Sequence, residues 1–133
     1  MDKQFNKIIL VTAPSGAGKT SIIQHLIKKF PRLVFSVSAT TRKPRNNEKN
    51  GVDYYFISEK DFKEKIHQKE FLEWEMVYEG QYYGTLKSEM ERIWSMGKVP
   101  VLDIDVQGAI HVQQQYPINT FSIFIQPPSL EEL

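Results

Sequence analysis

Short apolar runs alternate with amphipathic stretches along the outer parts of the chain. Four runs with little polar interruption predict strands, at residues 7–13, 33–37, 99–105 and 120–125. Apolar residues at helical spacing predict helices from about 18 to 30, from 86 to 97 and from 106 to 116. This alternation of strand and helix predicts an α/β core built on a parallel sheet.

The middle of the chain, residues 38–84, has a different pattern. Residues 38–50 are polar without an apolar period, which predicts a loop, and residues 54–57 predict a strand. Ser58, with Asp61 three residues later, resembles a helix cap, and Phe62 and Ile66 mark the buried side of that helix. We therefore expect an inserted, strand-rich lobe.

Residues 71–78 alternate between charged and large apolar side chains. Glu73 and Glu75 fall on one face of the predicted strand, opposite Leu72, Trp74 and Met76. Such alternation is typical of a half-exposed strand, unlike the apolar runs of the core.

Composition excludes several classes of protein. The chain has 133 residues, 17 basic and 16 acidic side chains and no cysteine, with a formal charge of +1. The charge gives no reason to expect a nucleic-acid or membrane partner, and the N-terminus lacks the apolar stretch of a signal peptide. We expect a cytoplasmic protein with one α/β core.

The last residues predict the start of a helix. Ser129 and Glu132 form a capping-box pattern after two prolines, and the sequence stops at Leu133. An isolated helical turn is not stable. We therefore expect the chain to be part of a longer protein.

Residues 13–20, APSGAGKT, lie between a predicted buried strand and an amphipathic helix, the context of a phosphate-binding loop. Backbone N–H groups of such a loop surround phosphates, its lysine reaches the β and γ phosphates, and its hydroxyl binds magnesium. Ala13 stands where the strict pattern has glycine. The residues predicted to bind a nucleoside triphosphate are Ala13, Pro14, Ser15, Gly16, Ala17, Gly18, Lys19 and Thr20.

Asp103 and Asp105 lie two residues apart at the end of a predicted core strand. Ligands of parallel sheets bind at that edge, where an acid can hold a magnesium ion or hydrogen-bond a substrate. An aspartate that caps the following helix is an equally good interpretation. The phosphate-binding loop favours the functional one.

Residues 38–45, SATTRKPR, place Arg42 and Arg45 three residues apart in the predicted loop. Planar guanidinium groups bind phosphate through two parallel hydrogen bonds, although a solvated basic loop has the same composition. Tyr54 and Tyr83 belong to the same lobe, and their hydroxyls can either donate to phosphate or serve packing.

Glu73 has two interpretations that periodicity does not separate. It fits an ordinary exposed strand position. Its carboxylate could instead accept hydrogen bonds from the two adjacent donors of guanine, which adenine lacks.

The ordered segments SGAGKT, SVSATTRKPR, NGVDYYF, FLEWEMVYEGQYYGT and VLDIDVQG resemble the guanylate kinases from Lys7 onward. The resemblance implies a core that binds ATP, a lobe that binds GMP, and a lid. It implies GMP-phosphate ligands at Ser38, Arg42, Arg45, Tyr54 and Tyr83, and guanine ligands at Glu73, Thr85 and Asp105, with Gly84 also in the substrate site. It further implies that Thr20, helped by Asp103, holds Mg²⁺.

By this resemblance the chain divides into core (1–37), GMP-binding lobe (38–84), core (85–126) and the start of a lid-side helix (127–133). The expected reaction is ATP-dependent phosphorylation of GMP or dGMP, with Lys19, Arg42 and Arg45 as catalytic cations. This segment alone is expected to be weakly active or inactive. The alternatives are a non-catalytic guanylate-kinase-like domain that binds proteins and a different P-loop phosphotransferase, which would leave TTRKPR and EGQYYGT unexplained.

Overall fold

The computed structural model describes residues 6–13 and 19–126. In chain order the elements are β1 (Ile8–Thr12), α1 (Lys19–Lys29), β2 (Leu33–Phe35), β3 (Ala39–Thr40), β4 (Tyr55–Phe56), α2 (Glu59–His67), β5 (Phe71–Tyr78), β6 (Gln81–Leu86), α3 (Lys87–Ser95), β7 (Val99–Asp103), α4 (Val106–Gln115) and β8 (Thr120–Phe124). They form two units: Ser36–Arg92, and the described residues on either side of that segment.

The first unit is a parallel sheet with strand order β2-β7-β1-β8. Val11 of β1, Val101 of β7 and Ile23 of α1 form its core, and each is at most 1% exposed. These contacts confirm the α/β class, the strands and the helices predicted from the apolar runs. In β8, Phe121 and Phe124 are largely exposed.

The second unit is a sheet with strand order β4-β3-β6-β5, covered on one face by α2. Ala39, Phe71 and Tyr82 pack against Phe62 of α2, which is fully buried. As predicted, Ser58 is the N-cap of α2, because its hydroxyl accepts a hydrogen bond from the Asp61 N–H at 3.1 Å. The helix therefore begins where the sequence indicated.

β5 matches its predicted bounds, 71–78, but its apolar face is only partly buried. Leu72 is fully buried, whereas Trp74 and Met76 are 45% and 48% exposed. A β-bulge lies between Phe71 and Glu73. It lets the neighbours Phe71 and Leu72 both be buried, which strict alternation does not allow.

The prediction of an uninterrupted loop over 38–50 is wrong at its start. Ala39 and Thr40 form β3, which pairs with β4 on one side and β6 on the other. The pairing partners lie far away in the sequence, so a two-residue strand of this kind has no local periodicity. We did not predict β6, whose pairing with β5 through a two-residue turn makes it a strand.

The helices are too short and too polar for a bilayer. Within residues 6–13 and 19–126, none has the length and apolar character required to cross a membrane.

Candidate functional site

One face of the second sheet carries the polar side chains that the sequence singled out. Glu73 lies opposite Thr85, and Glu75 lies opposite Tyr83, on the antiparallel strands β5 and β6. Directly opposed residues of antiparallel strands project to the same face, as do residues two apart on one strand. The four side chains therefore share the face opposite α2.

Arg42 is the centre of a cluster beside this face. Its Nε donates to the Tyr83 hydroxyl at 3.1 Å, and its guanidinium carbon lies 5.1 Å from the centre of the Tyr54 ring. The Tyr54 and Tyr83 rings are 5.9 Å apart in an edge-to-face arrangement. The structure thus brings together Arg42, Tyr54 and Tyr83, three of the residues predicted to bind the phosphate.

Glu48 completes this arrangement, although the sequence had not indicated it. Its two carboxylate oxygens accept hydrogen bonds from Nη1 and Nη2 of Arg42 at 2.9 and 3.0 Å. The same carboxylate accepts the backbone N–H of Arg45 at 2.7 Å. We refer to Arg42, Glu48, Tyr54 and Tyr83 as the Arg42 cluster. In the structure the guanidinium group of Arg42 binds Glu48 through two hydrogen bonds. This is the two-point contact that the sequence analysis predicted for a phosphate.

The cluster shifts two pKa values. Hydrogen bonds from the Arg42 side chain and the Arg45 backbone lower the pKa of Glu48 from 4.5 to about 2. Burial raises the pKa of the Tyr83 hydroxyl, but the hydrogen bonds that it accepts from Arg42 and from Gln81 at 3.1 Å bring it below its ordinary value. The Tyr83 oxygen thus accepts two hydrogen bonds within the protein.

The Glu48 shift predicts a pH range for the cluster. Because the folded pKa lies below the unfolded value, the Glu48 contacts stabilise the fold fully above about pH 4.5, and their contribution is lost as the pH falls toward 2. We expect the ¹³C signal of the Glu48 carboxyl to titrate with a midpoint near 2, and at a higher pH in Arg42→Met, which removes the largest cause of the shift. A midpoint near 4.5 in the unaltered protein would contradict the ion pair.

Glu73 and Thr85 form a second polar pair on the same face. The Thr85 hydroxyl, on a residue only 3% exposed, donates to a Glu73 carboxylate oxygen at 3.4 Å. A carboxylate has about four acceptor positions on its two oxygens. The pair is suited to a ligand with adjacent hydrogen-bond donors.

Ser38 and Arg45 form hydrogen bonds through their backbone carbonyls in this structure. The Ser38 carbonyl accepts the Tyr55 N–H at 2.8 Å, and the Arg45 carbonyl accepts the Glu48 N–H at 3.0 Å. The Arg45 side chain is exposed. Phosphate binding by the side chains of these two residues stays a prediction.

Gly84 lies between Tyr83 and Thr85 in β6. A Cβ atom there would lie 2.8 Å from Cδ1 of Phe71 and 2.9 Å from the Glu73 carbonyl oxygen. Those contacts are too close for any side chain, so the two strands pair here only around glycine.

Glu89 is a buried carboxylate that the sequence analysis also missed. It is 2% exposed, and it accepts hydrogen bonds from the Val37 N–H and the Tyr55 hydroxyl, both at 2.7 Å. Arg92 donates to both of its oxygens, at 3.0 and 2.9 Å. Burial raises the pKa of Glu89, but these hydrogen bonds outweigh it and the pKa is lowered. Glu89 joins α3 to the residues next to Ser38 and Tyr54.

β1, the strand that precedes the predicted triphosphate loop in the sequence, pairs with β7 next to Asp103. The parallel register pairs Val11 of β1 with Asp103 of β7, and α1 begins at Lys19. Residues 14–18 lie outside the described part of the chain. Thr20 and Asp103 are both exposed residues.

A hydroxyl and one carboxylate suit Mg²⁺, which keeps water ligands and takes others from substrate phosphates. Within residues 6–13 and 19–126 no three His, Cys, Asp or Glu residues group as a metal site. Mg²⁺ binding by Thr20 and Asp103 stays a prediction.

Asp105 belongs to the first unit, where it is the N-cap of α4. Its carboxylate accepts the Gly108 N–H at 2.8 Å. The helix-capping interpretation that the sequence left open is therefore what the structure shows. Contact with guanine stays a prediction for this residue.

Comparison with known proteins gives one consistent result. The family model described as guanylate kinase matches residues 5–133. Guanylate kinases of Bacteroides fragilis and Porphyromonas gingivalis are 46% and 48% identical over 96% of this chain, which covers 62% and 68% of their respective lengths. The crystal structure of guanylate kinase from Anaplasma phagocytophilum matches 95% of this chain with a TM-score of 0.73 and 33% identity, over 62% of its own length.

Proposed function

Because this chain belongs to the guanylate kinase family, we propose that it binds GMP, or dGMP, and ATP and takes part in phosphoryl transfer between them. The observation that carries the proposal is the polar face of the second unit, where the Arg42 cluster and the Glu73–Thr85 pair lie on one sheet. A cationic, hydroxyl-rich group suits a phosphate, and a carboxylate suits guanine. The predicted cytoplasmic location belongs to the same proposal.

In the proposed reaction an oxygen of the GMP phosphate forms a bond to the γ-phosphorus of ATP. The bond from that phosphorus to the β–γ bridging oxygen breaks, and ADP and GDP result. Such transfer depends on alignment and on neutralising charge. Arg45 and the Arg42 cluster would hold the acceptor phosphate, and Lys19 would contact the donor phosphates. Mg²⁺ held by Thr20 and Asp103 would supply further positive charge to the phosphates.

The assembled cluster favours nucleotide binding over a purely protein-binding role. Arg42 has 10% of its side chain exposed and Glu48 has 21%, and the two form a two-point ion pair. The loop that this pair orders also carries the exposed Arg45 side chain, a cation suited to an anionic ligand.

The preference for GMP over AMP tests the proposal most directly. Replacing Glu73 with glutamine exchanges one acceptor oxygen for a donor, so one guanine donor loses its partner. We expect the preference for GMP over AMP to fall about tenfold or more, because an unpaired polar group in a site costs at least that much. Titration calorimetry with both nucleotides measures the ratio.

Glu75→Gln is the matched control, since Glu75 lies two residues along the same strand and on the same face. It should leave the ratio unchanged. An undiminished preference in Glu73→Gln would remove Glu73 from the guanine site, and no preference for GMP in the unaltered protein would overturn the proposed function itself.

A further inference from the structure

Residues 49–56, which we call the Asn50 turn, carry the single asparagine–glycine pair of the sequence. Gly51 has a φ of +81°, a left-handed conformation that glycine adopts without steric cost. The side-chain oxygen of Asn50 accepts the backbone N–H of Phe56 at 2.8 Å, as short amide side chains often do in turns. Both residues therefore have a structural reason to be in this turn.

The same pair is chemically reactive, because glycine has no side chain to hinder attack on the asparagine amide. In deamidation the Gly51 backbone nitrogen forms a bond to Cγ of Asn50. The bond from Cγ to the side-chain nitrogen breaks, and that nitrogen leaves as ammonia with the proton of the Gly51 amide. Water then adds to either carbonyl carbon of the resulting succinimide ring and opens it. The products are aspartate and isoaspartate, in which the backbone runs through Cβ and Cγ.

In the folded chain both reacting groups are held in hydrogen bonds. The Gly51 N–H donates to the Tyr54 carbonyl at 2.7 Å, and Oδ1 of Asn50 accepts the Phe56 N–H at 2.8 Å. Attack requires the Gly51 nitrogen to lose its proton and the Asn50 side chain to rotate toward it, so both hydrogen bonds must break first. Asn50 and Gly51 are exposed residues, so water for the second step is at hand.

Asp53 supports the residue that precedes the reactive pair. Its carboxylate accepts the Lys49 N–H at 2.7 Å, and its own N–H donates to the Lys49 carbonyl at 3.0 Å. These contacts close the turn around Asn50 and Gly51. Small exposed turns open locally at a lower free energy than the whole fold. Such an opening is what releases the two reacting groups.

We propose that Asn50 is a site of deamidation that the folded turn protects, so that its rate of modification measures local opening of the Asn50 turn. The aspartate product keeps a side-chain oxygen for the Phe56 N–H. The isoaspartate product adds a carbon to the backbone, so the Gly51–Tyr54 hydrogen bond and the pairing of residue 50 with Tyr54 lose their register. Isoaspartate therefore removes the support of Tyr54, a member of the Arg42 cluster.

Mass spectrometry of tryptic peptides measures the rate at residue 50 after incubation at mildly alkaline pH, once in buffer and once in guanidinium chloride. We expect the rate in buffer to be lower by about tenfold or more, because two hydrogen bonds must break before the reaction. Asn46 and Asn47 are an internal comparison, since both are exposed and each precedes a residue with a side chain. They should react much more slowly than residue 50 in guanidinium chloride.

Two variants of the intact protein test the role of the turn. Asp53→Ala removes the carboxylate that accepts the Lys49 N–H, so the rate at residue 50 in buffer should rise about threefold or more. Val52→Ala is the matched control, because the Val52 side chain lies in the same turn and is 66% exposed. It should leave the rate unchanged. Hydrogen exchange at the Gly51 amide should be faster in Asp53→Ala and unaltered in Val52→Ala.

Equal rates at residue 50 in buffer and in guanidinium chloride would overturn the protection by the fold. Absence of modification at residue 50 in guanidinium chloride would overturn the site itself. The same rate in Asp53→Ala and Val52→Ala would show that the hydrogen bonds of the turn do not control the reaction. The comparison of the unaltered protein in the two solutions decides the proposal even if Asp53→Ala does not fold. Nucleotide enters none of these measurements, so their outcome is independent of the proposed function.

Discussion

Replacing Glu89 with alanine is expected to lower the free energy of unfolding of the second unit by about 3 kcal/mol or more. The substitution leaves the Val37 N–H and the Tyr55 hydroxyl without the carboxylate that accepts from both at 2.7 Å. Glu89 is 2% exposed, so water does not readily replace it. Urea denaturation followed by the fluorescence of Trp74, in a Trp94→Phe background, measures the change.

Glu59→Gln is the control, because it breaks an ion pair of the same unit in which the side chains of Lys63 and Glu59 are 52% and 46% exposed. An exposed pair contributes little, so its loss should cost much less than the loss of Glu89. Hydrogen exchange at the Val37 amide gives a local reading and should be faster in Glu89→Ala. A stability within about 0.5 kcal/mol of the unaltered protein, as for ordinary surface substitutions, would show that the buried network contributes nothing.

Replacing Lys19 with alanine is expected to reduce the rate of phosphoryl transfer, however low that rate is in this segment, by a factor of about 10² to 10³, because the cation proposed to contact the transferring phosphates is lost. GMP affinity should stay within about twofold, since Lys19 is not among the predicted GMP ligands. The predicted GMP ligands lie in the second unit apart from Asp105, whereas Lys19 begins α1 in the first. Steady-state kinetics with a coupled ADP assay, and calorimetry with GMP, measure the two quantities separately.

Lys28→Ala serves as the control, since Lys28 lies in the last turn of the same helix and is exposed. It should leave both turnover and GMP affinity unchanged. Turnover by Lys19→Ala within tenfold of the unaltered protein would remove this lysine from the catalytic groups.

The first unit could be predicted closely because its signals are local. β1 and β7 are apolar runs, and α1 and α4 have apolar residues at helical spacing, so each element was visible in its own segment. β3 and β6 were not visible in this way. Ala39 and Thr40 become a strand through pairing with Tyr55, Gly84 and Tyr83, residues that no local pattern connects to them.

The site residues show the same difference, because some have a recognisable sequence signal and others do not. Motif context indicated Arg42, Tyr54 and Tyr83, which the structure places together, but it did not indicate Glu48 or Glu89. Glu48 follows Arg42 by six residues in an irregular loop, a spacing that carries no structural signal. Glu89 did leave a signal: it lies three residues after Leu86 and four before Ile93, on the apolar stripe of α3, where an acid needs partners.

Gly84 bears on how other sequences with this lobe are classified. The residue belongs to a motif associated with nucleotide binding, yet the space it needs is set by Phe71 and the Glu73 carbonyl, which are parts of the protein itself. A domain that had lost its ligand but kept the sheet would be under the same steric requirement. Glycine at this position therefore marks the architecture of the lobe, and on its own it does not separate ligand-binding members of the family from non-binding ones.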